Sequence, residues 1–188
     1  MAELELLSGK QTRPYFDRLI DIYQAAFSQP PYSESLPDFL NFIGRLSYHS
    51  GQAGFRCVIL RPEPQAEVIG FVYGFPGTKG DWFYNLVYPR LTPQQRDLYL
   101  SDFFEFAEIA VLPAFQRQGQ GGRLHDALLA GISQSSACLA TPEVDTNAHH
   151  LYRRREWTTL TRGIELPGSD LKYEIMGKVL HEKMPSND

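Results

Sequence analysis

Residues 103–132 constrain the fold more than any other part of the chain. Residues 103–112 are apolar apart from two glutamates, and Pro113 ends the run, which predicts a buried strand. From Leu124 onward, apolar residues recur at helical spacing. A glycine-rich turn joins the two elements. The segment therefore predicts the strand–turn–helix unit of a mixed α/β fold.

The turn holds three glycines in four positions, Gly119, Gly121 and Gly122. Glycine raises the entropic cost of folding, so such a run is expected where the backbone must approach a ligand closely. Free N–H groups at the start of the following helix, together with the helix dipole, favour a phosphate or another anion. A Walker loop requires lysine where this chain has Arg123, and the dinucleotide fingerprint requires glycine where it has Leu124. The alternative is a turn without a ligand.

The sequence from Gln116 reads Gln-x-x-Gly-x-Gly and follows Val-x-Pro, with Val111 and Pro113 in those positions. In this order it resembles the acetyl-CoA pyrophosphate loop of the GNAT superfamily of N-acetyltransferases. The resemblance implies that the loop binds the pyrophosphate and that the strand edge pairs with the pantetheine arm. The implied coenzyme-binding residues are Ile109, Ala110, Val111, Gln116, Arg117, Gln118, Gly119, Gln120, Gly121 and Gly122.

A second stretch, residues 145–157, is similar to the family signature Asn-x-x-Ala-x-x-Leu-Tyr, which is followed by a basic stretch and Gly-Phe. Asp145 occupies the asparagine position and Glu156 the glycine position. A glycine past a helix end usually has positive φ, which glutamate adopts at a cost of about 1 kcal/mol. Either the helix ends differently here or the strain is tolerated. The matching residues are Ala148, Leu151 and Tyr152.

Acetyl transfer to an amine needs a base or a water chain, a donor for the carbonyl oxygen and an acid for the thiolate. The resemblance places Tyr152 beside the coenzyme sulfur, which makes it the candidate acid; the alternative is a tyrosine packed in the core. Backbone N–H groups of residues 109–111 are the candidate donors. Glu108 is the first candidate base, because the family often has a glutamate at this place, and Glu105 is the second. Strict strand alternation puts these two glutamates on opposite faces.

Other polar residues carry weaker predictions. His149 and His150 suit proton transfer and lie near Tyr152, whereas His125 is expected to be structural. No His/Cys/Asp cluster has ligand spacing, so no metal site is predicted. The aromatic-rich residues 75–101 either fill the core or form a wall of the acceptor pocket.

The remaining pattern predicts one GNAT-like domain over residues 1–188, with α/β (α+β) architecture and a mixed central sheet flanked by helices. Thr12 and Ser35 are expected to cap two early helices, and Asp145 or Asn147 a late one. Thr92 opens a short helix. The expected strands are Glu3–Leu7, 57–60, 68–73, 103–112, 137–141, 157–160 and 171–180, the last two separated by Pro167 and Gly168.

Composition narrows the function further. A net charge of −4 argues against general nucleic-acid binding, and no apolar run approaches membrane-spanning length. The start of the chain lacks an apolar signal core, so a cytoplasmic enzyme is expected. Cys57 and Cys138 lie in apolar segments and are expected to be buried thiols.

The predicted activity is acetyl-CoA-dependent N-acetyltransfer, by direct transfer in a ternary complex, to the amine of a small molecule or a peptide. The alternative is a non-catalytic acetyl-CoA-binding regulatory module on the same fold. A homodimer is compatible with either.

Overall fold

The computed structural model describes residues 2–166 and 169–181, and seven strands in this part of the chain form one mixed sheet. The sheet order is β1-β2-β3-β4-β5-β7-β6. The β4–β5 pair is parallel, and every other neighbouring pair described is antiparallel. The strands are β1 (Glu3–Leu7), β2 (Arg56–Arg61), β3 (Gly70–Pro76), β4 (Phe103–Val111), β5 (Ser136–Pro142), β6 (Thr158–Glu165) and β7 (Lys172–Val179).

Helices cover both faces of this sheet, which confirms the predicted fold class. Apolar side chains of α2, α3, α4 and α5 pack on one face, and those of α6 and α7 pack on the other. Cys57 and Cys138 are buried and free, as expected. Residues Pro167 and Gly168, expected to separate the last two strands, lie outside the described residues. The helices are α1 (Gly9–Thr12), α2 (Phe16–Phe27), α3 (Leu36–His49), α4 (Trp82–Val87), α5 (Pro93–Leu100), α6 (Gln120–Leu129) and α7 (Asn147–Arg154).

Helix starts follow local capping chemistry. Ser35 begins α3 and Thr92 begins α5, as predicted, because in each case the side chain three residues later accepts the cap's N–H. The expected cap at Thr12 is wrong. Helix α1 starts earlier, at Ser8, whose N–H donates to Gln11 Oε1 over 2.9 Å, and the buried Thr12 hydroxyl donates back to the Ser8 carbonyl.

Residues 75–101 mostly form α4, a 3-10 turn and α5, of which the sequence predicted only the short helix after Thr92. Helix α4 has no polar–apolar periodicity to predict it. Phe83 and Val87 bury one side of α4 against the sheet, while Trp82 remains 60% exposed. Tertiary packing therefore stabilises this short helix where intrinsic propensity gives little.

The sheet opens in its middle. Strands β4 and β5 pair only at their beginnings, where residues 103–105 face residues 136–138. Beyond that point β4 continues along β3, whereas β5 continues along β7. No described strand fills the space between the two diverging strands, so backbone groups on the inner edges of β4 and β5 are free to bind a ligand.

A β-bulge changes which face the β4 side chains occupy. Phe75 pairs with Glu105 and Tyr73 pairs with Glu108, so two steps on β3 oppose three on β4 and Ala107 is the extra residue. Directly paired residues share a face. Glu105 and Glu108 therefore lie on the same face of the sheet, and the expectation that they lie on opposite faces is wrong.

Candidate active site

The glycine-rich turn ends at a helix terminus that has no side-chain cap. Gly119 is the N-cap residue with φ 79°, a left-handed conformation that glycine adopts without strain. The first helical backbone bond runs from Arg123 N–H to the Gly119 carbonyl over 3.2 Å. The N–H groups of Gln120, Gly121 and Gly122 consequently have no partner within the helix. This terminus has the geometry of an anion site.

The loop before α6 is held in place by its own glutamines. Gln116 Nε2 donates to the Val111 carbonyl over 2.9 Å, which ties the loop to the end of β4. Gln118 Nε2 donates to the Ala114 carbonyl over 3.1 Å. Arg117 between them has φ 58° and is exposed. The predicted loop residues thus form one turn, which leads directly into the start of α6.

Of the backbone N–H groups predicted as donors, those of residues 109–111, only some lie on the edge of β4 that faces the gap. Leu112 N–H donates to the Ile69 carbonyl, toward the β3 side. Because backbone groups alternate direction along a strand, Ile109 and Val111 face the gap and Ala110 faces β3. The Ile109 N–H interacts with the Glu108 carboxylate. Val111 can therefore offer its N–H to a molecule bound in the gap, whereas the Ile109 N–H is engaged by Glu108 and Ala110 faces β3.

Tyr152 lies on α7 and closes the other side of the gap. Its side chain is buried, its ring meets Phe106 edge-on at 5.9 Å, and it also packs against Trp157. Burial raises the pKa of the Tyr152 hydroxyl, and Tyr32 and the negative charge of Glu108 raise it further. The Tyr152 hydroxyl of α7 is thus within electrostatic influence of the Glu108 carboxyl of β4.

Glu108 is a largely buried carboxyl, and in the described part of the chain Arg45 is its ion-pair partner. Arg45 of α3 approaches it, with 3.5 Å between Nη2 and Oε2, and 15% of the Glu108 side chain is exposed. Burial raises the pKa of Glu108 to about 8, although Arg45 and the Ile109 N–H favour the charged form; the neighbouring Glu34 contributes to the increase. A carboxyl with this pKa can exchange protons near neutral pH.

Sequence reasoning missed the residues of the α2–α3 loop that reach this centre. Burial raises the pKa of the Tyr32 hydroxyl, which interacts with Thr146 and with the charge of Glu108. Glu34 Oε2 is buried without a hydrogen-bond partner in the described residues. Tyr173 of β7 interacts with both glutamates. The sequence offered no signal for these residues beyond their types, because a loop and a strand far away in the chain bring them together.

Glu105 lies away from the gap, next to Asp81, and makes no hydrogen bond or ion pair in the described part of the chain. Burial raises the pKa of this carboxyl to about 8, and the charge of Asp81 adds to the rise. The second candidate base is therefore on the correct face but is displaced from Tyr152 toward α4.

The histidines have mainly structural environments. His125 is buried, contacts Asp126 through Nδ1 over 2.8 Å and accepts from the Trp157 indole through Nε2 over 2.9 Å, which confirms its expected role. His149 is buried and bonded to Glu174 of β7. His150 is half exposed and lies 3.1 Å from Asp145. No group of His, Cys, Asp or Glu in residues 2–166 and 169–181 could hold a metal ion.

The helix α7 departs from both predicted caps. Thr146, rather than Asp145 or Asn147, begins the helix, and its Oγ1 accepts the His149 N–H over 3.0 Å. At the other end, Glu156 has φ 62°, so the strain expected for glutamate in the glycine position is present.

Comparisons with known proteins agree with this geometry. The sequence model of the acetyltransferase (GNAT) family matches residues 16–157. A GCN5-like protein acetyltransferase of Mycobacterium tuberculosis is 33% identical over 126 residues, which cover 61% of this chain and only 60% of that relative.

Two solved structures share the fold at low sequence identity. Arabidopsis thaliana NAA60 in complex with acetyl-CoA superposes with a TM-score of 0.64 at 16% identity, covering 96% of this chain and 99% of that one. The Escherichia coli ribosomal-protein-S18-alanine N-acetyltransferase has a TM-score of 0.63 at 15% identity, covering 99% of this chain and 98% of the other. Among the described residues, no helix is both long and apolar enough to span a membrane.

Proposed function

Because the chain belongs to the acetyltransferase (GNAT) family, we propose that it transfers the acetyl group of acetyl-CoA to a primary amine by direct attack in a ternary complex. The observation that supports the proposal is the gap between β4 and β5, together with the effect of the Glu108 charge, which raises the pKa of the Tyr152 hydroxyl. The family makes acetyl transfer the expected reaction, and this pair supplies the two proton-transfer groups that it needs.

The chain's own groups fit acetyl-CoA, which supplies an acetyl group activated as a thioester. The uncapped N–H groups at the start of α6 would hold the pyrophosphate, because the helix terminus is positive and glycine leaves room for close approach. Arg117 is an exposed cation beside this turn. The gap-facing groups of Ile109 and Val111 would bind the arm of the coenzyme.

Glu108 acts as the base in this proposal. An acceptor amine arrives as an ammonium ion, and the ionised Glu108 carboxylate removes one of its protons. The freed nitrogen lone pair then forms the C–N bond to the acetyl carbonyl carbon, and the nitrogen loses its second proton to solvent as the intermediate collapses to the amide. Negative charge develops on the carbonyl oxygen, where the gap-facing N–H of Val111 stabilises it.

Tyr152 acts as the acid. As the C–S bond breaks, the Tyr152 hydroxyl donates its proton to the departing sulfur and regains one afterwards from solvent. No residue in the described part of the chain makes a hydrogen bond to the Tyr152 hydroxyl. Burial raises its pKa, so it stays protonated until negative charge reaches the sulfur.

A covalent acetyl-cysteine is disfavoured by the environment of both thiols. Cys57 and Cys138 are fully buried, and burial raises the pKa of Cys57 to about 12. A thiol with this pKa is almost entirely protonated near neutral pH and is a poor nucleophile. Direct transfer remains the simpler route.

The test is amine-dependent release of coenzyme A thiol, screened across classes of small amines and amino-terminal peptides. With an accepted amine, Tyr152→Phe should lower kcat by about 10²-fold, the scale of positioned acid catalysis, with acetyl-CoA affinity within a few-fold. Calorimetric binding and thiol-release rates measure the two quantities separately. Normal turnover in the variant would remove Tyr152 from the mechanism. Tight acetyl-CoA binding with no turnover of any amine would favour the non-catalytic module.

A further inference from the structure

A small cavity of about 60 Å³ lies between the end of α3, the start of α4 and strands β3 and β4. A cavity of this volume holds several water-sized groups but excludes a nucleotide or a fused ring system. Its polar lining comes mainly from Glu105, Asp81 and His49. The cavity therefore suits a short polar group at the end of a chain.

The two carboxyl groups that line the cavity, those of Glu105 and Asp81, favour a cationic ligand. Glu105 is 9% exposed, lines the cavity and has neither a hydrogen bond nor an ion pair in the described residues. No lysine or arginine is among the lining residues, and Asp81 adds a second carboxyl. Burial and the charge of Arg45 lower the pKa of His49 to about 4, so the imidazole is neutral near pH 7. Burial raises the pKa of Glu105 to about 8, so without a cation beside it this carboxyl is largely protonated near neutral pH; a bound ammonium ion would favour its ionised form and supply the partner that it lacks.

The walls of the cavity also favour an ammonium group. Tyr48 and Trp82 are 65% and 60% exposed at its rim, and Phe83 forms part of its base. Aromatic faces attract an alkylammonium ion, and the negative end of the α3 dipole, which terminates at His49, acts in the same direction. An uncharged or anionic group would gain none of these interactions.

The position of Glu105 relative to Glu108 on β4 connects this cavity with the transfer reaction. Glu105 and Glu108 pair with Phe75 and Tyr73, which lie two residues apart on β3, so the carboxyls share a face at roughly 7 Å spacing along the strand. The neutral His49 lines the cavity together with Glu105, and its Nδ1 lies 3.3 Å from the hydroxyl of Tyr73, the residue that pairs with Glu108. A methylene chain joining two nitrogens could lie over this partly exposed ring.

We propose that the Glu105 cavity binds a second ammonium group of the acceptor, and that the preferred acceptor is a short diamine. One amine nitrogen is placed at Glu108 for acetylation while the other is held by Glu105, Asp81 and the rim aromatics. The inference rests on the proposed function, because it assigns Glu108 to the attacking amine.

The test compares cadaverine with pentylamine, which has the same carbon chain but one amine. Wild-type protein should show a kcat/KM about tenfold or more higher for cadaverine, the scale of one charge-assisted contact. Glu105→Gln, which keeps the shape of the side chain, should reduce this ratio to within about threefold of unity and leave pentylamine nearly unaffected. The control is Glu63→Gln, an exposed carboxylate in a distant turn, which should keep the wild-type ratio.

Two outcomes would overturn the proposal. Equal kcat/KM for both amines in the wild-type protein would show that the second ammonium contributes nothing. An equal loss for both amines in Glu105→Gln would show that Glu105 serves the reaction rather than the distal nitrogen.

Calorimetric titration of cadaverine into the protein keeps the two proposals separate. If no amine is acetylated, the proposed function fails, but the cavity still predicts that Glu105→Gln weakens cadaverine binding about tenfold. Equal cadaverine affinities for wild-type protein and Glu105→Gln would reject the cavity as an ammonium site even if pentylamine is acetylated.

Discussion

Glu108 and Glu105 show how environment separates two chemically identical residues. Burial raises the pKa of both carboxyls to about 8. Glu108 has Arg45 at 3.5 Å and lies close enough to Tyr152 for its charge to affect that hydroxyl, whereas Glu105 has no cation and faces Asp81. The same side chain is therefore suited to proton transfer at one position and to cation binding at the other.

At the residue scale, the rate should depend on the ionised form of Glu108. Because burial places its pKa near 8, kcat/KM for pentylamine should rise with pH below about 8 and level off above it, apart from titration of the amine itself. Glu108→Gln should remove this dependence and lower kcat by about 10²-fold, with acetyl-CoA affinity nearly unchanged. Stopped assays across the pH range measure both effects.

The matched control for this profile is Glu105→Gln with the same monoamine. It should retain the wild-type pH dependence, since Glu105 lies away from Tyr152 and pentylamine has no second ammonium. Wild-type rates for Glu108→Gln at every pH would assign the base to another group or to water.

At the element scale, the site depends on two helix ends. The start of α6 supplies uncapped N–H groups. Helix α7 packs against this start, since Leu151 of α7 lies 3.7 Å from a β-carbon built on Gly121. Two backbone hydrogen bonds end α7: the Trp157 N–H donates to the Tyr152 carbonyl, and the Glu156 N–H donates to the Arg153 carbonyl. This bond pattern is a Schellman motif, which explains the positive φ of Glu156.

Glu156→Gly should stabilise the protein by about 1 kcal/mol, because glycine adopts φ 62° without the clash between Cβ and backbone. The Glu156 carboxylate contributes little, since it is exposed and 3.9 Å from Lys178 Nζ. Chemical denaturation measures the change. Glu156→Ala is the control: it removes the carboxylate but keeps the strained conformation, so it should show no comparable gain.

Gly121→Val should weaken acetyl-CoA binding at least tenfold, because the added side chain covers the N–H groups at the start of α6. The fold should survive, since a β-carbon at Gly121 meets only an ordinary contact with Leu151. Gly44→Val is a matched control, because Gly44 is also helical and has nothing within 4 Å of its built β-carbon. Unchanged acetyl-CoA affinity by calorimetry in Gly121→Val would reject the phosphate assignment.

At the scale of the whole molecule, one aromatic cluster connects the sheet to both site helices. Phe106 of β4 meets the rings of Tyr152, Trp157 and His125 at 5.5 to 5.9 Å, each from a different segment of the chain. The Trp157 indole also donates to His125 Nε2 over 2.9 Å. The position of Tyr152 beside the gap is thus coupled to the packing of the core.

Trp157→Phe should destabilise the protein by about 1–3 kcal/mol, because it leaves the buried His125 Nε2 without its donor. In a domain of this size the loss corresponds to a decrease in Tm of roughly 2–10 °C. The same substitution at the chain's other tryptophan, the exposed Trp82, should change stability by less than about 0.5 kcal/mol. Thermal unfolding of both variants makes the comparison, and equal Tm values would show that the buried hydrogen bond contributes nothing.

The sequence by itself determined the features that local patterns encode. The strand–turn–helix over β4 and α6, the caps at Ser35 and Thr92 and the positive φ at Glu156 each depend on residues close together in the chain. The family match to residues 16–157 agrees with the two motifs that the sequence alone presented. These features could be predicted because turn, capping and glycine preferences act over a few residues.

Only the tertiary structure decided how the site is assembled. The bulge at Ala107 placed Glu105 and Glu108 on one face, although simple alternation in the sequence separates them. Tyr32, Glu34 and Tyr173 reach Glu108 from a loop and a distant strand. The pKa values of both glutamates depend on burial by segments far away in the chain. Long-range packing sets register, burial and electrostatic environment, and a local pattern carries no information about any of them.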